Sequence, residues 1–207
     1  WRADESTLGR PGASLVAAAH GRLYAATGRG HRDPYDSPTL HALDPATGER
    51  VGSYATAGAG EPGVAEVEDG VVVVDRLLDT PDRPAETPVT TRETTPAGTP
   101  PTAAERPPTP ARAYGVPPDL SGTEWRTELP ASPWYGSPPA AAGTVACVGS
   151  RSGVATALDV RSGETPWTHE FDVPLDLRGP AVVDGVCPFG SSAGPVALAP
   201  DRTDGCG

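Results

Sequence analysis

Five residue types are absent from this 207-residue chain: Lys, Asn, Gln, Ile and Met. Four of the five have A/T-rich codons, so the absence reads first as the mark of a GC-rich coding sequence. All 16 basic residues are therefore Arg, against 27 acids, giving a net charge of −11. An acidic chain without a basic stripe is a poor binder of nucleic acid, because phosphate neutralisation needs clustered cations. No nucleic-acid partner is expected. The acidic excess itself reads either as solubility or as adaptation to high salt. The lack of Met means that Trp1 is not a retained translation start, and the expectation is a fragment or a processed form. No apolar run approaches the ~18 residues that read as a transmembrane helix. The clearest one, Val71-Val72-Val73-Val74, is strand-sized. Trp1-Arg2-Ala3-Asp4-Glu5 has no apolar stretch of the kind that opens a secretory signal.

Cysteine is equally scarce. Cys147, Cys187 and Cys206 form no C-x-x-C pair, and an odd count does not make a disulfide framework. Cys147 and Cys187 are expected as small buried apolar side chains on strands. The four His residues show neither H-E-x-x-H nor a zinc-ligand spacing with the cysteines. No phosphate-binding glycine loop is present. Gly149-Ser150-Arg151-Ser152-Gly153 resembles a nucleophile elbow but carries Arg where the Ser must be. No catalytic, cofactor-binding or metal-ligating residue is assigned.

Proline and glycine are abundant, with 26 Pro and 25 Gly making about a quarter of the chain. Much of the Pro is concentrated in residues 78–112, which hold 9 Pro and 9 Thr in 35 positions. Such a segment has too little apolar surface to offset the entropy of ordering it, and reads as a disordered insert. It fits a tolerated surface insertion, a polyproline-reading partner, or a glycosylated stretch in an exported protein. The loop Gly28-Arg29-Gly30-His31-Arg32-Asp33-Pro34-Tyr35-Asp36 holds the most varied chemistry in the chain. Loops of that kind, held on a rigid scaffold, commonly carry function. A plain polar turn would read the same way.

The rest of the chain repeats. Gly143-Thr144-Val145-Ala146-Cys147-Val148-Gly149 leads to Ala157-Leu158-Asp159, Ser162-Gly163 and Trp167. Gly185-Val186-Cys187 leads to Ala197-Leu198, and Gly21-Arg22-Leu23-Tyr24 leads to Ala42-Leu43-Asp44 and Thr47-Gly48. Gly70-Val71-Val72 leads, beyond the insert, to Asp119, Ser121-Gly122 and Trp125. Trp125 and Trp167 are 42 residues apart, as are Gly143 and Gly185. Each unit reads as four short strands, with hairpin turns expected at His20-Gly21, Asp69-Gly70, Ala142-Gly143 and Asp184-Gly185. No sustained helical stripe is present. Four strands in 40–45 residues is the period of a propeller blade. The expected fold is all-β: a propeller of four-stranded antiparallel blades, about 3.5 of them, in an incomplete ring across residues 1–207.

The stretch Ala157-x-Asp159-x-x-Ser162-Gly163-x-x-x-Trp167 resembles the tryptophan-docking motif of PQQ-like β-propeller repeat proteins. Asp44 and Gly48 keep the turn of that motif, with Gly52 in the tryptophan place. The copy ending in Trp125 is one residue short on each side of its Ser-Gly, and Trp1 resembles the docking Trp of a blade whose other strands are absent. Ala157, Asp159, Gly163, Trp167, Asp44, Gly48 and Trp125 are thus expected as a structural docking set, with the Asp accepting turn amides and the Trp packing on a neighbouring blade. Bare end faces of ~500 Å² would forgo roughly 12 kcal/mol of burial, so a longer native protein is expected. The resemblance implies two functions. One is a non-catalytic, extracytoplasmic scaffold that binds a protein partner or ligand through blade-end loops, similar to the lipoprotein component of the outer-membrane β-barrel assembly machinery. The alternative is part of a PQQ- and Ca-dependent quinoprotein dehydrogenase, a group that uses adjacent cysteines and an Asn ligand; this chain has neither.

Overall fold

The computed structural model describes residues 8, 14–27, 39–56, 62–76, 111–131, 138–150, 152–175, 179–191 and 193–198. Trp1, Cys206, the 28–36 loop and almost all of the Pro/Thr-rich run lie outside them. Among the described residues the named elements are all strands, in antiparallel sheets built from consecutive segments. The first blade is β1 (Ser14–Ala19), β2 (Arg22–Thr27), β3 (Thr39–Leu43) and β4 (Arg50–Ala55). The second is β5 (Gly63–Val67), β6 (Gly70–Arg76), β7 (Ala111–Val116) and β8 (Trp125–Leu129). The third is β9 (Ala140–Ala142), β10 (Val145–Gly149), β11 (Val154–Asp159) and β12 (Trp167–Glu170). A fourth, partial blade has β13 (Cys187–Phe189) and β14 (Val196–Leu198), preceded by a bridge between Val183 and Val186. This is the all-β propeller architecture that the repeats imply, with an open ring.

Why these segments form strands is clearest in β6. Val71, Val72, Val73 and Val74 are all buried, which a one-sided sheet would not allow. Val71 and Val73 enter a core shared with Tyr24, Leu40 and Ala42 of the first blade. Val72 and Val74 enter another, shared with Ala146, Val148 and Leu158 of the third. A strand covered on both faces needs no polar alternation, hence the unbroken apolar run. The first strands lie inward, since β1 contacts β5 and β5 contacts β9 around the axis.

The hairpin turns follow local chemistry, with two shifts. His20-Gly21 and Asp184-Gly185 both have positive φ at each central residue, as a tight two-residue hairpin requires. In the second blade Val67 pairs with Gly70, so Glu68-Asp69 make the turn and Gly70 begins the strand. A side chain at Gly70 would strike the Val116 carbonyl, so the glycine answers close backbone approach rather than the turn. In the third blade the turn is Gly143-Thr144, one residue later than expected, because Ala142 pairs with Val145. The Pro/Thr-rich segment also ends earlier than its composition suggests: Ala111 and Arg112 belong to β7, paired with Arg76 and Asp75 of β6.

The largest departure concerns cysteine. Cys147 and Cys187 are buried on strands, but they are bonded to each other rather than packed as free thiols, with Cα atoms 6.1 Å apart. The bond joins β10 of the third blade to β13 of the fourth. An odd cysteine count hides a single pair, and only blade stacking brings residues 40 apart in sequence together. The contact is closed around them by Leu175 and Phe189, with Gly149 leaving room for the Phe189 ring 2.9 Å from where its Cβ would sit. Among the described residues the fourth blade has two strands of three residues each, held to the third by this bond and by the packing of Leu175, Phe189 and Trp167. Replacing both cysteines by Ala is expected to cost about 2–4 kcal/mol in urea unfolding. Its first effect should be loss of amide protection in β13 and β14 by hydrogen exchange.

Candidate functional site: the blade contacts and the two ends of the ring

The turn between the third and fourth strands of a blade is built by one aspartate. Asp159 Oδ1 accepts the backbone N–H groups of Arg161 and Ser162, both at 2.9 Å, and the Ser162 hydroxyl at 3.1 Å. Gly163, at φ +72°, donates its N–H to the Asp159 carbonyl. Asp44 does the same in the first blade, accepting from Ala46 at 2.7 Å and Thr47 at 3.0 Å, with Gly48 at φ +77°. The hydrogen bonds lower the pKa of both carboxyls below the usual value, those from Ser162 and Thr47 most.

Trp125 ends the equivalent run in the second blade, and it docks forward. Its Nε1 donates to the Val160 carbonyl of the third blade at 2.8 Å. The indole is held between two glycines. A side chain at Gly115, its cross-strand partner, or at Gly163, in the next blade's turn, would collide with the ring. Thr127 Oγ1 adds a short hydrogen bond to the Gly163 carbonyl. The turn of Asp159 and Gly163 therefore receives the tryptophan of the preceding blade, not the Trp167 that shares its sequence motif. Trp167 pairs with Ala157 and packs on the opposite side, towards Leu175 and Cys187. Its indole Nε1 is buried without an acceptor among the described residues.

Between the first and second blades the same contact is inverted. Gly52 occupies the tryptophan position, paired with Ala42. A Cβ there would run into the Asp119 carbonyl of the second blade and lie 3.5 Å from the Leu120 Cβ. Leu120 is the knob and Gly52 the hole. Leu120 takes φ +60°, with its N–H on the Pro117 carbonyl at 2.9 Å, the role that Gly48 and Gly163 fill elsewhere. The pairing of Gly115 with Trp125 puts Pro117, eight residues before the Trp, in the register place of Asp44 and Asp159. Asp119 instead caps its own turn, accepting from Ser121 N at 3.0 Å. The lost indole donor is replaced from β2, where Tyr24 donates its hydroxyl hydrogen to the Pro118 carbonyl at 2.9 Å. Pro118 stands where Val160 stands in the next blade. Tyr54 packs edge-on against Tyr114, 5.7 Å between centroids, and shares a 2.8 Å hydrogen bond with Thr123.

Two polar groups are buried near the loop end. Tyr114 donates to Asp75 Oδ2 at 3.0 Å, and burial, followed by the Asp75 charge, pushes its pKa to about 12. His41 shares a 2.9 Å hydrogen bond with Thr27 and is depressed by burial and then by Arg50. Sequence reading missed Tyr24, Tyr54, Tyr114 and Asp75. Strand alternation places them on faces, but only stacking shows which face meets which blade.

At the turn end, a cleft of about 230 Å³ runs between the second and third blades, lined by Glu68, Asp69, Glu124 and Arg161 among others. A separate shallow groove shares Glu68 with it and has His20, Glu66 and Pro139 on its walls. Arg161 reaches Glu68 at 3.4 Å, and His20 bonds the Gly70 carbonyl at 2.7 Å. Among the described residues no group of three or more His, Cys, Asp or Glu is arranged to hold a metal ion.

Two measurements check these contacts. Trp125→Ala is expected to cost about 3–5 kcal/mol, and Trp125→Phe about 1–2 kcal/mol because the Val160 carbonyl loses its donor. Gly52→Ala should also destabilise, by collision with the Asp119 backbone. Acid should act through the depressed groups. The stability that Asp44, Asp119 and Asp159 contribute is present above the unfolded carboxylate value and is lost as pH falls through their lowered folded values. His41 acts earlier: the unfolded state binds its proton first, so stability declines as pH drops below the ordinary imidazole value of about 6.5. The urea midpoint is expected to fall from pH 7 to 5.5, and His41→Phe should flatten that step.

No protein-family model matches the chain, and no curated protein matches it in sequence. Solved structures do. The chain is similar to BamB from Moraxella catarrhalis, at 18% identity and a TM-score of 0.52, over 86% of this chain and 46% of that one. It is similar to the computationally designed Ika4 protein, at 9% identity and a TM-score of 0.57, covering 90% and 91% of the two chains. The Dos1 propeller matches at 10% identity and a TM-score of 0.54, over 87% of this chain and 41% of that one. The chain thus spans about half the length of BamB. At these identities the likeness establishes the fold alone, a β-propeller.

Proposed function

We propose that this chain is a non-catalytic propeller scaffold that binds a protein partner through the loops at one blade end, outside the cytoplasm. The observation that carries the reading is the uneven placement of loops. The second-to-third-strand connections of the first two blades take residues 28–38 and 77–110, whereas β10 and β11 of the third are joined by a tight turn, with Ser150 N on the Val154 carbonyl at 2.9 Å. The two long connections leave neighbouring blades at the same end, above blades locked by Trp125, Leu120 and the disulfide. Variable loops on a rigid frame are where binding surfaces are built. The Cys147–Cys187 bond supports export, because structural disulfides persist in oxidising compartments.

A quinoprotein dehydrogenase is the competing class, and the residues present do not fit its cofactor. Its adjacent-cysteine platform has no counterpart, since Cys147 and Cys187 are fully buried and committed to a cross-link between blades. The sequence holds no Asn to serve as the Ca²⁺ ligand.

The test is a loop replacement. With residues 77–110 exchanged for a short Gly/Ser linker, the chain should keep its β circular dichroism and urea midpoint. It should lose capture of its partner in pull-downs from the envelope fraction of the source cell. Equal capture by the shortened chain would refute the loop reading. Saturable, Ca²⁺-dependent PQQ binding with alcohol turnover would refute the scaffold itself.

A further inference from the structure

The joints between blades differ at the turn end as well as at the level of the tryptophan. Between the first and second blades His20 spans the joint, with its Nε2 on the Gly70 carbonyl at 2.7 Å. One joint further on, the register of the first hairpins sets Glu68 in the place of His20 and Val145 in the place of Gly70. A carboxylate has no hydrogen to donate to a carbonyl. Glu68 turns instead to the guanidinium of Arg161, 3.4 Å away on the third blade. The cleft of about 230 Å³ lies at this joint, beneath that pair.

The wall and the mouth of the cleft have opposite character. Val71, Val116 and Val160 on the wall are buried, and Gly70 and Gly115 bring bare backbone to it. The mouth carries Glu68, Asp69 and Glu124 against the single Arg161. The side chains of Arg161 and Glu68 are 67% and 76% exposed, so their pair is weak. Asp69 and Glu124 enter no ion pair among the described residues. Glu66, on the wall of the neighbouring groove, enters none either. An apolar slot with an anionic rim fits a side chain that is apolar along its stem and cationic at its tip. Arginine fits better than lysine, because its planar fork meets carboxylates two bonds at a time. The structure already seats one guanidinium on this rim, that of Arg161.

We propose that this cleft docks an arginine side chain carried by an extended segment of a protein partner. The methylenes lie along Val71, Val116 and Val160, and the guanidinium rests on Asp69 and Glu124, with Arg161 competing for the same rim. Both walls belong to four-stranded blades, so the site depends on nothing outside the second and third. It lies at the end of the blades opposite the connections 28–38 and 77–110. It is therefore a second docking surface, separate from the loop end, and either surface can fail without the other.

The experiment is an NMR titration of the isotope-labelled full chain with the peptide acetyl-Gly-Ala-Arg-Ala-Gly-amide and with its citrulline counterpart, which has nearly the same shape and no charge. The arginine peptide should saturate, shifting the amides of Asp69, Gly70, Glu124 and Arg161 and the indole N–H of Trp125. Its arginine methylenes should show Overhauser contacts to the cleft valines. The citrulline peptide should bind about tenfold more weakly. Asp69→Asn with Glu124→Gln should weaken the arginine peptide to a similar degree. Arg161→Gln, which takes the chain's own guanidinium off the rim, should tighten it severalfold. These side chains are exposed, and an unchanged urea midpoint checks that the fold is kept. The chain with residues 77–110 replaced should bind the peptide as the full chain does. Equal affinity for the two peptides, or shifts centred away from the cleft, overturns the proposal. Arginine amide binding as tightly as the peptide overturns it in favour of a small-molecule site. Saturable Ca²⁺ binding at the same amides that blocks the peptide overturns it in favour of a cation site.

Discussion

A four-stranded blade has two apolar faces and no means of covering either by itself. In this chain the constraint is met by stacking, and the rest of the structure follows from how each stack is locked. Val71 through Val74 are buried because a blade lies on each side of them. The glycines that matter most, Gly52, Gly115 and Gly163, sit where a neighbouring backbone or ring occupies the space of a side chain. The hydrogen bonds from Tyr24 and Trp125 end on carbonyls at the same place in successive turns.

Each of the three joints uses a different lock. Trp125 enters a glycine-lined slot, Leu120 enters the space left at Gly52, and Cys147 bonds Cys187. The knob may come from either blade, provided that the other blade offers a hole at that level. This explains how the repeat tolerates losing its tryptophan in the first copy without losing the joint. Gly52 and Leu120 are a matched pair, and neither departure from the repeat makes sense without the other. Because the joints fix the blades, loops of any length can leave the ends without disturbing the core, which is the property a binding scaffold needs.

Several features were legible before any coordinates. The glycine-led apolar runs, the Ala-Leu-Asp triplets and the spacing of 42 between Trp125 and Trp167 led to four-stranded blades, because strand alternation and turn chemistry are local. The Asp159 and Asp44 turns were readable for the same reason, since each carboxylate bonds amides two and three residues ahead. The hairpin positions at Gly70 and Gly143 were misjudged by one residue. A glycine demanded by close packing looks the same in sequence as one demanded by a turn.

What the sequence determined by itself was the unit: four short strands and the local turns that join them. What the tertiary structure alone decided was which unit each residue serves. Trp125 completes the turn of Asp159 and Gly163 rather than its own, Tyr24 takes over an indole's hydrogen bond, and two cysteines that looked like free thiols are joined. The physical reason is the same in every case. Contacts within a blade span a few residues and leave a pattern in the chain. Contacts between blades join positions tens of residues apart, and they are set by which faces stack.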